Sequence, residues 1–135
     1  MANFAIHIWT DGSCKGNPGP AGCGVILEYG TSKREISKSI GHATNNIAEI
    51  SAVILGFEAL KCPERSDVTL HTDSQLVVGF LSGSWKAKTN LELVKHMQFL
   101  ASKLASLTVV KERAHSGVPQ NEHCDTLASL AAERA

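Results

Sequence analysis

Two short stretches of the chain each place an aspartate directly after an apolar run that is typical of a β-strand. The first is WTDGS at residues 9–13, and the second is HTDSQ at residues 71–75. If the two strands lie parallel and adjacent, Asp11 and Asp73 emerge from the same edge of the sheet, which is where open α/β sheets bind ligands. Two carboxylates at such an edge could hold a metal cation.

Two further acids, Glu49 and Asp125, fall in the expected first turns of helices that can reach the same edge. Converging carboxylates repel one another and raise each other's pKa, so a group of this kind makes sense only if it holds hard cations. A ligand set of oxygen atoms alone suits Mg²⁺ or Mn²⁺. Two such ions about 3.5–4 Å apart would suit in-line hydrolysis of a phosphodiester.

Hydrophobic periodicity predicts the elements that must present these acids. Residues 4–10, 23–27 and 34–38 alternate as strands do, and their short connections favour an antiparallel meander. The first strand is expected to end at Asp11. Beyond Gly41 the period becomes helical, and the rest of the chain predicts a helix, a strand, two helices, a strand and a closing helix.

The predicted order is therefore β-β-β-α-β-α-α-β-α, in which right-handed crossovers add the parallel strands. The fold class is α/β, with a five-stranded mixed sheet, made of an antiparallel meander plus two parallel strands, flanked by helices. Gly83 is expected to end the second helix. The last strand is predicted at residues 107–114 and the closing helix at 121–134.

The composition is that of an ordinary globular protein. The chain has 135 residues, of which 43% are hydrophobic and 19% charged, and this predicts a single domain at residues 1–135. No apolar run approaches ~18 residues and no signal-like segment opens the chain, so we expect a soluble, cytoplasmic protein with no membrane partner. The four cysteines are expected to be free thiols, and the histidines show no zinc-type spacing.

Four motifs, taken together, resemble those of the type 1 ribonuclease H family. The resemblance runs from about residue 4 to residue 132. Four separate motifs in the family's order are far more specific than any one of them. In chain order they are Asp11-Gly12-Ser13 with Gly16-Asn17-Pro18-Gly19, Thr44-Asn45-Asn46-x-x-Glu49, Thr72-Asp73-Ser74-Gln75, and His115-x-Gly117-x-x-x-Asn121-Glu122-x-x-Asp125.

The resemblance implies a ribonuclease H-like fold and an endonuclease that hydrolyses the RNA strand of RNA/DNA hybrids, leaving 5′-phosphate and 3′-hydroxyl ends. It implies that Asp11, Glu49, Asp73 and Asp125 bind two Mg²⁺ ions, with Mn²⁺ as a substitute. It also implies that His115 assists proton transfer or product departure, which the ordinary histidine pKa of ~6.5 suits.

Substrate contacts follow from the same resemblance. Asn17, Asn46 and Gln75 are expected to contact the minor groove, which displays 2′-hydroxyls and base edges. Thr44 is expected in a phosphate pocket for the DNA strand, and Asn45 is a further candidate for substrate binding. Double-stranded RNA stays open as a second substrate beside the RNA/DNA hybrid.

Residues 81–90 differ from many bacterial members of the family, which carry a long basic, Trp-rich protrusion at this place. The chain therefore resembles the short form of the family, and Trp85, Lys86 and Lys88 are expected to face the DNA backbone. The formal net charge is zero, which argues against a nucleic-acid partner, but leaving out the four site acids gives 13 basic against 9 acidic residues. We expect a monomer that binds its substrate in a salt-dependent way.

Each motif also has a purely structural explanation. Asn46 and Glu49 fit a capping box, Asp73 could cap the next helix, Asp125 could complement a helix dipole, and Asp11 could open a turn. Taken singly these explanations are preferable to catalysis, but four of them would not reproduce one family's order and spacing. Two other functions stay open: a different nuclease on the same fold, and a catalytically inactive domain that binds nucleic acid.

Overall fold

The computed structural model describes residues 2–113 and 117–135, which contain one five-stranded sheet with helices on both faces. The strands are β1 (Phe4–Cys14), β2 (Gly19–Tyr29), β3 (Ser32–Ala43), β4 (Ser66–Thr72) and β5 (Ser106–Lys111). The helices are α1 (Asn45–Glu58), α2 (Gln75–Ser82), α3 (Leu91–Ser102) and α4 (Pro119–Glu133), and a 3₁₀ turn at Pro63–Arg65 precedes β4.

The strands lie in the order β3-β2-β1-β4-β5. β1 pairs antiparallel with β2, and β2 antiparallel with β3, whereas β1 and β4, and β4 and β5, are parallel pairs. The predicted element order and the mixed α/β sheet are confirmed. Gly83 ends α2 in the left-handed conformation, with φ at 80°, as the sequence predicts.

Alternation along β1 sends neighbouring side chains to opposite faces of the sheet. Ile8 joins the core formed with α1, α2 and α3, whereas Trp9 packs with Ile26 of β2 and Cys124 of α4. Full burial of an aliphatic side chain such as that of Ile8 stabilises a fold by ~2 kcal/mol. The central strand is thus fixed from both sides, which makes it a rigid support for residues that follow Trp9.

The prediction that the first strand ends at Asp11 is wrong. β1 continues past Asp11 to Cys14, which lies opposite Ala21 of β2. The strands stay paired because the reversal between them is confined to residues 15–18, where Gly16 takes a φ of 87° that glycine accommodates. Asp11 therefore lies within the ladder and not at its end.

The expected bounds of the last two elements also differ. β5 covers Ser106–Lys111, not residues 107–114, and residue 114 lies outside the described residues. α4 begins at Pro119, earlier than the predicted residue 121, because proline has no N–H and a first helical turn needs none there. Asp125 consequently lies in the second turn of α4 and not in the first.

The capping-box explanation for Asn46 is wrong. The Thr44 side chain caps α1 by accepting the Ile47 N–H at 3.2 Å, and Asn46 is exposed in the first turn. Because the helix begins at Asn45, Glu49 lies in the second turn.

Asp73 does not cap α2 either, because the Ser74 hydroxyl accepts the Val77 N–H at 3.2 Å. All four cysteines are free thiols, as predicted. Among the described residues, no helix is both long enough and apolar enough to cross a lipid bilayer.

Candidate active site

Three carboxylates from distant parts of the chain meet over the middle of the sheet. Asp11 lies in β1, Glu49 in α1 and Asp73 directly after β4, and one oxygen from each lies within 4.8 Å of the other two. Parallel pairing puts Trp9 opposite His71, so Asp11 and Asp73, each two residues further on, come level with each other. This is the juxtaposition that the two sequence motifs predict.

The position of Glu49 depends on a close approach between α1 and β1. A Cβ atom added to Gly12 would lie 2.5 Å from the carbonyl carbon of Ala48 and 2.6 Å from the backbone nitrogen of Glu49. Only glycine fits this contact without moving the helix away from the strand. The Gly12 amide also donates a hydrogen bond to Asp11 Oδ1 at 3.0 Å, which fixes the orientation of that carboxylate.

The acids open onto a cavity of about 340 Å³. The fourth acid, Asp125, reaches it from α4 on the other face of the sheet, so the structure brings together all four carboxylates that the sequence singles out. The cavity is lined by Asp11, Gly12, Asn45, Glu49, Asp73, Asn121, Glu122 and Asp125. A second cavity, of about 350 Å³, lies at the start of β1 near Phe4 and has a mostly apolar lining, so we place the chemistry in the acidic one.

Burial and mutual repulsion perturb the two innermost acids. Asp11 is 7% exposed, and burial together with the charges of Glu49 and Asp73 raises its pKa from 3.8 to about 9. Burial and the charge of Asp73 likewise raise the pKa of Glu49 from 4.5 to about 8. Two neighbouring carboxyl groups whose pKa values are raised above neutral pH mark a place where, among the described residues, no positive charge compensates for them.

The donor set fits divalent cations. Within the part of the chain that the structure describes, Glu49 Oε2 is buried without a hydrogen-bond partner. A buried carboxylate oxygen without a partner is costly unless it ligates a metal. Oxygen donors without imidazole or thiolate suit Mg²⁺ or Mn²⁺ better than zinc or copper.

A family model described as RNase H matches residues 3–133. The chain belongs to the ribonuclease H family. One relative, the Ribonuclease H of Syntrophus aciditrophicus, is 39% identical over 96% of this chain and 82% of its own length. Membership of this family supports hydrolysis of the RNA strand in RNA/DNA hybrids.

Solved structures agree with the fold. The N-terminal RNase H domain of Rv2228c from Mycobacterium tuberculosis is 32% identical, with a TM-score of 0.82 over 95% of this chain and 98% of that one. LC11-RNase H1, solved in complex with an RNA/DNA hybrid, is 28% identical, with a TM-score of 0.80 over 96% of this chain and 97% of that one.

In this ribonuclease H the three residues expected to contact the minor groove, Asn17, Asn46 and Gln75, are exposed. Asn17, on the turn between β1 and β2, accepts the backbone N–H of Asn45 at 3.1 Å through its side-chain oxygen. This bond ties the turn to the start of α1. Asn45 itself lines the acidic cavity, and Asn46 and Gln75 are exposed in the first turns of α1 and α2.

The short segment between α2 and α3 is held by Trp85. The backbone N–H of Trp85 donates to the carbonyl of Gly79 at 3.1 Å, and the indole ring packs edge-on against Phe80 with centroids 6.3 Å apart. Trp85 as a residue remains 43% exposed, and Lys86 and Lys88 are exposed beside it. The segment thus presents one aromatic ring and two cations to solvent.

Sequence reasoning gave no role to two residues that line the acidic cavity. Asn121 is 6% exposed and Glu122 lies in the first turn of α4. Both belong to the motif around Asp125, so their proximity to that acid on the helix was the available signal. His115, which the resemblance assigns to proton transfer, lies outside the described residues.

Proposed function

We propose that this ribonuclease H is a divalent-metal-dependent endonuclease that cuts the RNA strand of RNA/DNA hybrids and leaves 5′-phosphate and 3′-hydroxyl ends. One observation carries the proposal: Asp11, Glu49 and Asp73 converge within 4.8 Å in a cavity that Asp125 also lines. Because the chain belongs to the ribonuclease H family, an acidic cavity of this kind is best explained as the place where a phosphodiester is hydrolysed.

The four carboxylates would hold two Mg²⁺ ions, for which Mn²⁺ would substitute. When bound, such ions supply an activated water and neutralise the charge that develops on the departing oxygen. The surrounding residues of the chain would hold the ligands in fixed positions before metal binds. The strand holds Asp11, and the contact at Gly12 holds Glu49 against it, so the ligands need little rearrangement when metal binds.

The reaction that we propose is hydrolysis at phosphorus. Water adds to the phosphorus atom, the bond to the 3′ oxygen breaks, and that oxygen takes up a proton to become the 3′-hydroxyl group. His115 is our candidate for handling a proton at this stage, since a histidine can both accept and donate one near neutral pH.

Substrate selection would come from polar side chains around the cavity and from the segment between α2 and α3. Asn17, Asn45, Asn46 and Gln75 would contact the minor groove, where 2′-hydroxyls distinguish RNA from DNA. Thr44 would add a phosphate contact on the DNA strand. Trp85, Lys86 and Lys88 would contact the DNA backbone, with affinity that falls as salt rises.

The proposal extends to the organisation of the protein. Residues 1–135 would form one catalytic domain that works as a monomer in the cytoplasm. The family match over residues 3–133 and the single sheet support the single-domain part of this proposal.

The test is cleavage of end-labelled duplexes of one sequence, as RNA/DNA, RNA/RNA and DNA/DNA, with single-stranded RNA beside them. Each is incubated with Mg²⁺, Mn²⁺ or a chelator, and the products are identified by their end groups. We expect cutting of RNA in the hybrid that needs metal and fails in the Asp11→Asn variant. Cutting that persists with the chelator would contradict the metal-dependent mechanism. Equal cutting of RNA/RNA would add double-stranded RNA to the substrates.

A further inference from the structure

A second polar cluster lies outside the acidic cavity, on the sheet face that α4 partly covers. His7 of β1 and His71 of β4 approach each other, with His7 Nδ1 2.9 Å from His71 Nε2. His71 Nδ1 in turn lies 2.6 Å from Glu112 Oε1, just beyond β5. The proposed nuclease reaction makes no use of this row of three side chains.

The hydrogen-bond partners define which ring nitrogens carry hydrogen. At 2.6 Å from a carboxylate oxygen, His71 Nδ1 must be a donor in a charge-assisted bond. In the neutral ring this leaves a lone pair on His71 Nε2, which His7 Nδ1 meets as the donor. Two imidazole nitrogens are therefore directed at one point between the rings, and a single hydrogen occupies it.

The His71 ring is held in place before any ligand arrives. The indole of Trp9 stacks on His71 with centroids 4.4 Å apart and planes 8° apart, and His7 stacks on the same indole at 5.6 Å and 24°. Trp9 is only 7% exposed, so its ring is a fixed support. His7 is exposed, which leaves its ring free to turn.

We propose that His7 and His71 bind a late first-row divalent transition metal of the Zn²⁺ or Ni²⁺ class, with Glu112 orienting His71. Imidazole pairs select such metals, whereas the carboxylates of the active site select Mg²⁺ and Mn²⁺. A histidine ligand commonly donates its other ring hydrogen to a carboxylate, which is the arrangement of His71 and Glu112.

Metal binding requires the His7 ring to turn while His71 stays in place. Two zinc–nitrogen bonds of about 2.0–2.1 Å at a tetrahedral angle separate the nitrogens by about 3.3 Å. The observed separation is 2.9 Å, but the ring centroids lie 5.2 Å apart with planes 25° apart, so the two nitrogens point at each other along one line. The exposed His7 ring must therefore turn until its lone pair converges with that of His71 on the ion. His7 keeps its hydrogen by carrying it on Nε2 instead of Nδ1. Water would complete the coordination, so binding should be weaker than at a closed four-ligand site.

The stacked tryptophan gives a direct assay. Trp9 and Trp85 are the two tryptophans of the chain, so a Trp85→Phe background leaves Trp9 as the sole indole reporter. This protein is titrated with Ni²⁺ in the presence of excess Mg²⁺, which occupies the carboxylates. We expect saturable quenching of Trp9 fluorescence. His7→Ala and His71→Ala should each weaken binding about tenfold or more, and Glu112→Gln roughly tenfold.

The matched control is His96→Ala. His96 is also an exposed histidine near a glutamate, with its Nε2 3.5 Å from Glu58, but it lies on α3 and should leave the quenching unchanged. Calorimetric titration with Zn²⁺ checks the stoichiometry, and circular dichroism checks that each variant folds. His7→Gln and His71→Gln replace the alanine variants if those unfold. The proposal would be overturned if quenching and stoichiometry were unchanged in both histidine variants. It would equally be overturned if binding in those variants were then abolished by alkylation of the cysteine thiols, because the metal would be bound by cysteine.

Discussion

Replacing Asp11 by asparagine should stabilise the metal-free protein while removing its activity. Burial and the neighbouring acids raise the pKa of Asp11 from 3.8 to about 9. At pH 7 the folded protein therefore keeps a proton on Asp11 that the unfolded chain releases. Folding must take up that proton, and its cost grows as the pH rises from about 4 towards 9. The Asp11→Asn variant has no such proton to take up.

The size of the effect follows from the same values. The interval from 3.8 to pH 7, at ~1.4 kcal/mol per pKa unit, corresponds to about 4 kcal/mol. The amide differs from a carboxyl group in its hydrogen bonds, so we expect the variant to gain at least half of this. For a domain of this size the gain raises Tm by roughly 5–10 °C. At pH 5 the same reasoning leaves less than about 2 kcal/mol.

Thermal and denaturant unfolding in a chelator, at several values between pH 5 and pH 8, measure the difference directly. The advantage of Asp11→Asn over the native protein should widen with rising pH, and Mg²⁺ should narrow it by stabilising the native protein alone. Glu92→Gln, at an exposed acid on α3, is the matched control and should show no such widening. A variant that is less stable than the native protein at pH 8 without metal would refute the electrostatic argument.

Three further substitutions test individual contacts. Gly12→Ala should lower the activity, and it should lower the free energy of unfolding by about 1–3 kcal/mol, because the added Cβ would push α1 away from β1. Unchanged unfolding and cleavage would show that the close contact between α1 and β1 is not needed. Asn46→Ala should raise KM for the hybrid and leave Tm unchanged. Thr44→Val should lower the free energy of unfolding by about 1 kcal/mol, because α1 loses its N-cap. The reverse pattern would show that Asn46, and not Thr44, caps the helix. Lys88→Ala should reduce the slope of log affinity against log salt by about one. The control is Lys103→Ala, at the exposed C-terminal cap of α3, which should leave the slope unchanged. Equal slopes in both variants would remove Lys88 from the DNA contact.

The parts of this molecule that the sequence predicts are those governed by repeating patterns. Alternating strands with short connections predict the meander, and two similar motifs at the ends of parallel strands predict that Asp11 and Asp73 meet. The residue at which α1 begins is harder to predict from the sequence, because Thr44 and Asn46 are both acceptable N-caps and only the backbone direction decides between them. Because Thr44 is the N-cap, Glu49 lies in the second turn of α1 and not in the first turn, where the sequence predicted it.

Contacts that depend on the exact register between strands could not be predicted. The meeting of His7, His71 and Glu112 depends on the register of β1, β4 and β5, which no local pattern reports. The length of β1 beyond Asp11 likewise depends on how tightly the turn at residues 15–18 closes. In both cases the deciding quantity is the fit between strands.

Three of the four acids, Asp11, Glu49 and Asp125, belong to β1, α1 and α4, and Asp73 lies between β4 and α2. Neither a locally formed hairpin nor an isolated helix can therefore possess the metal-binding group, because its members meet only after the longest loops of the chain have closed. Recovery of hydrolytic activity during refolding should consequently lag behind the return of helical circular dichroism. The active site reports global folding, and a partly folded chain has no means of cutting nucleic acid.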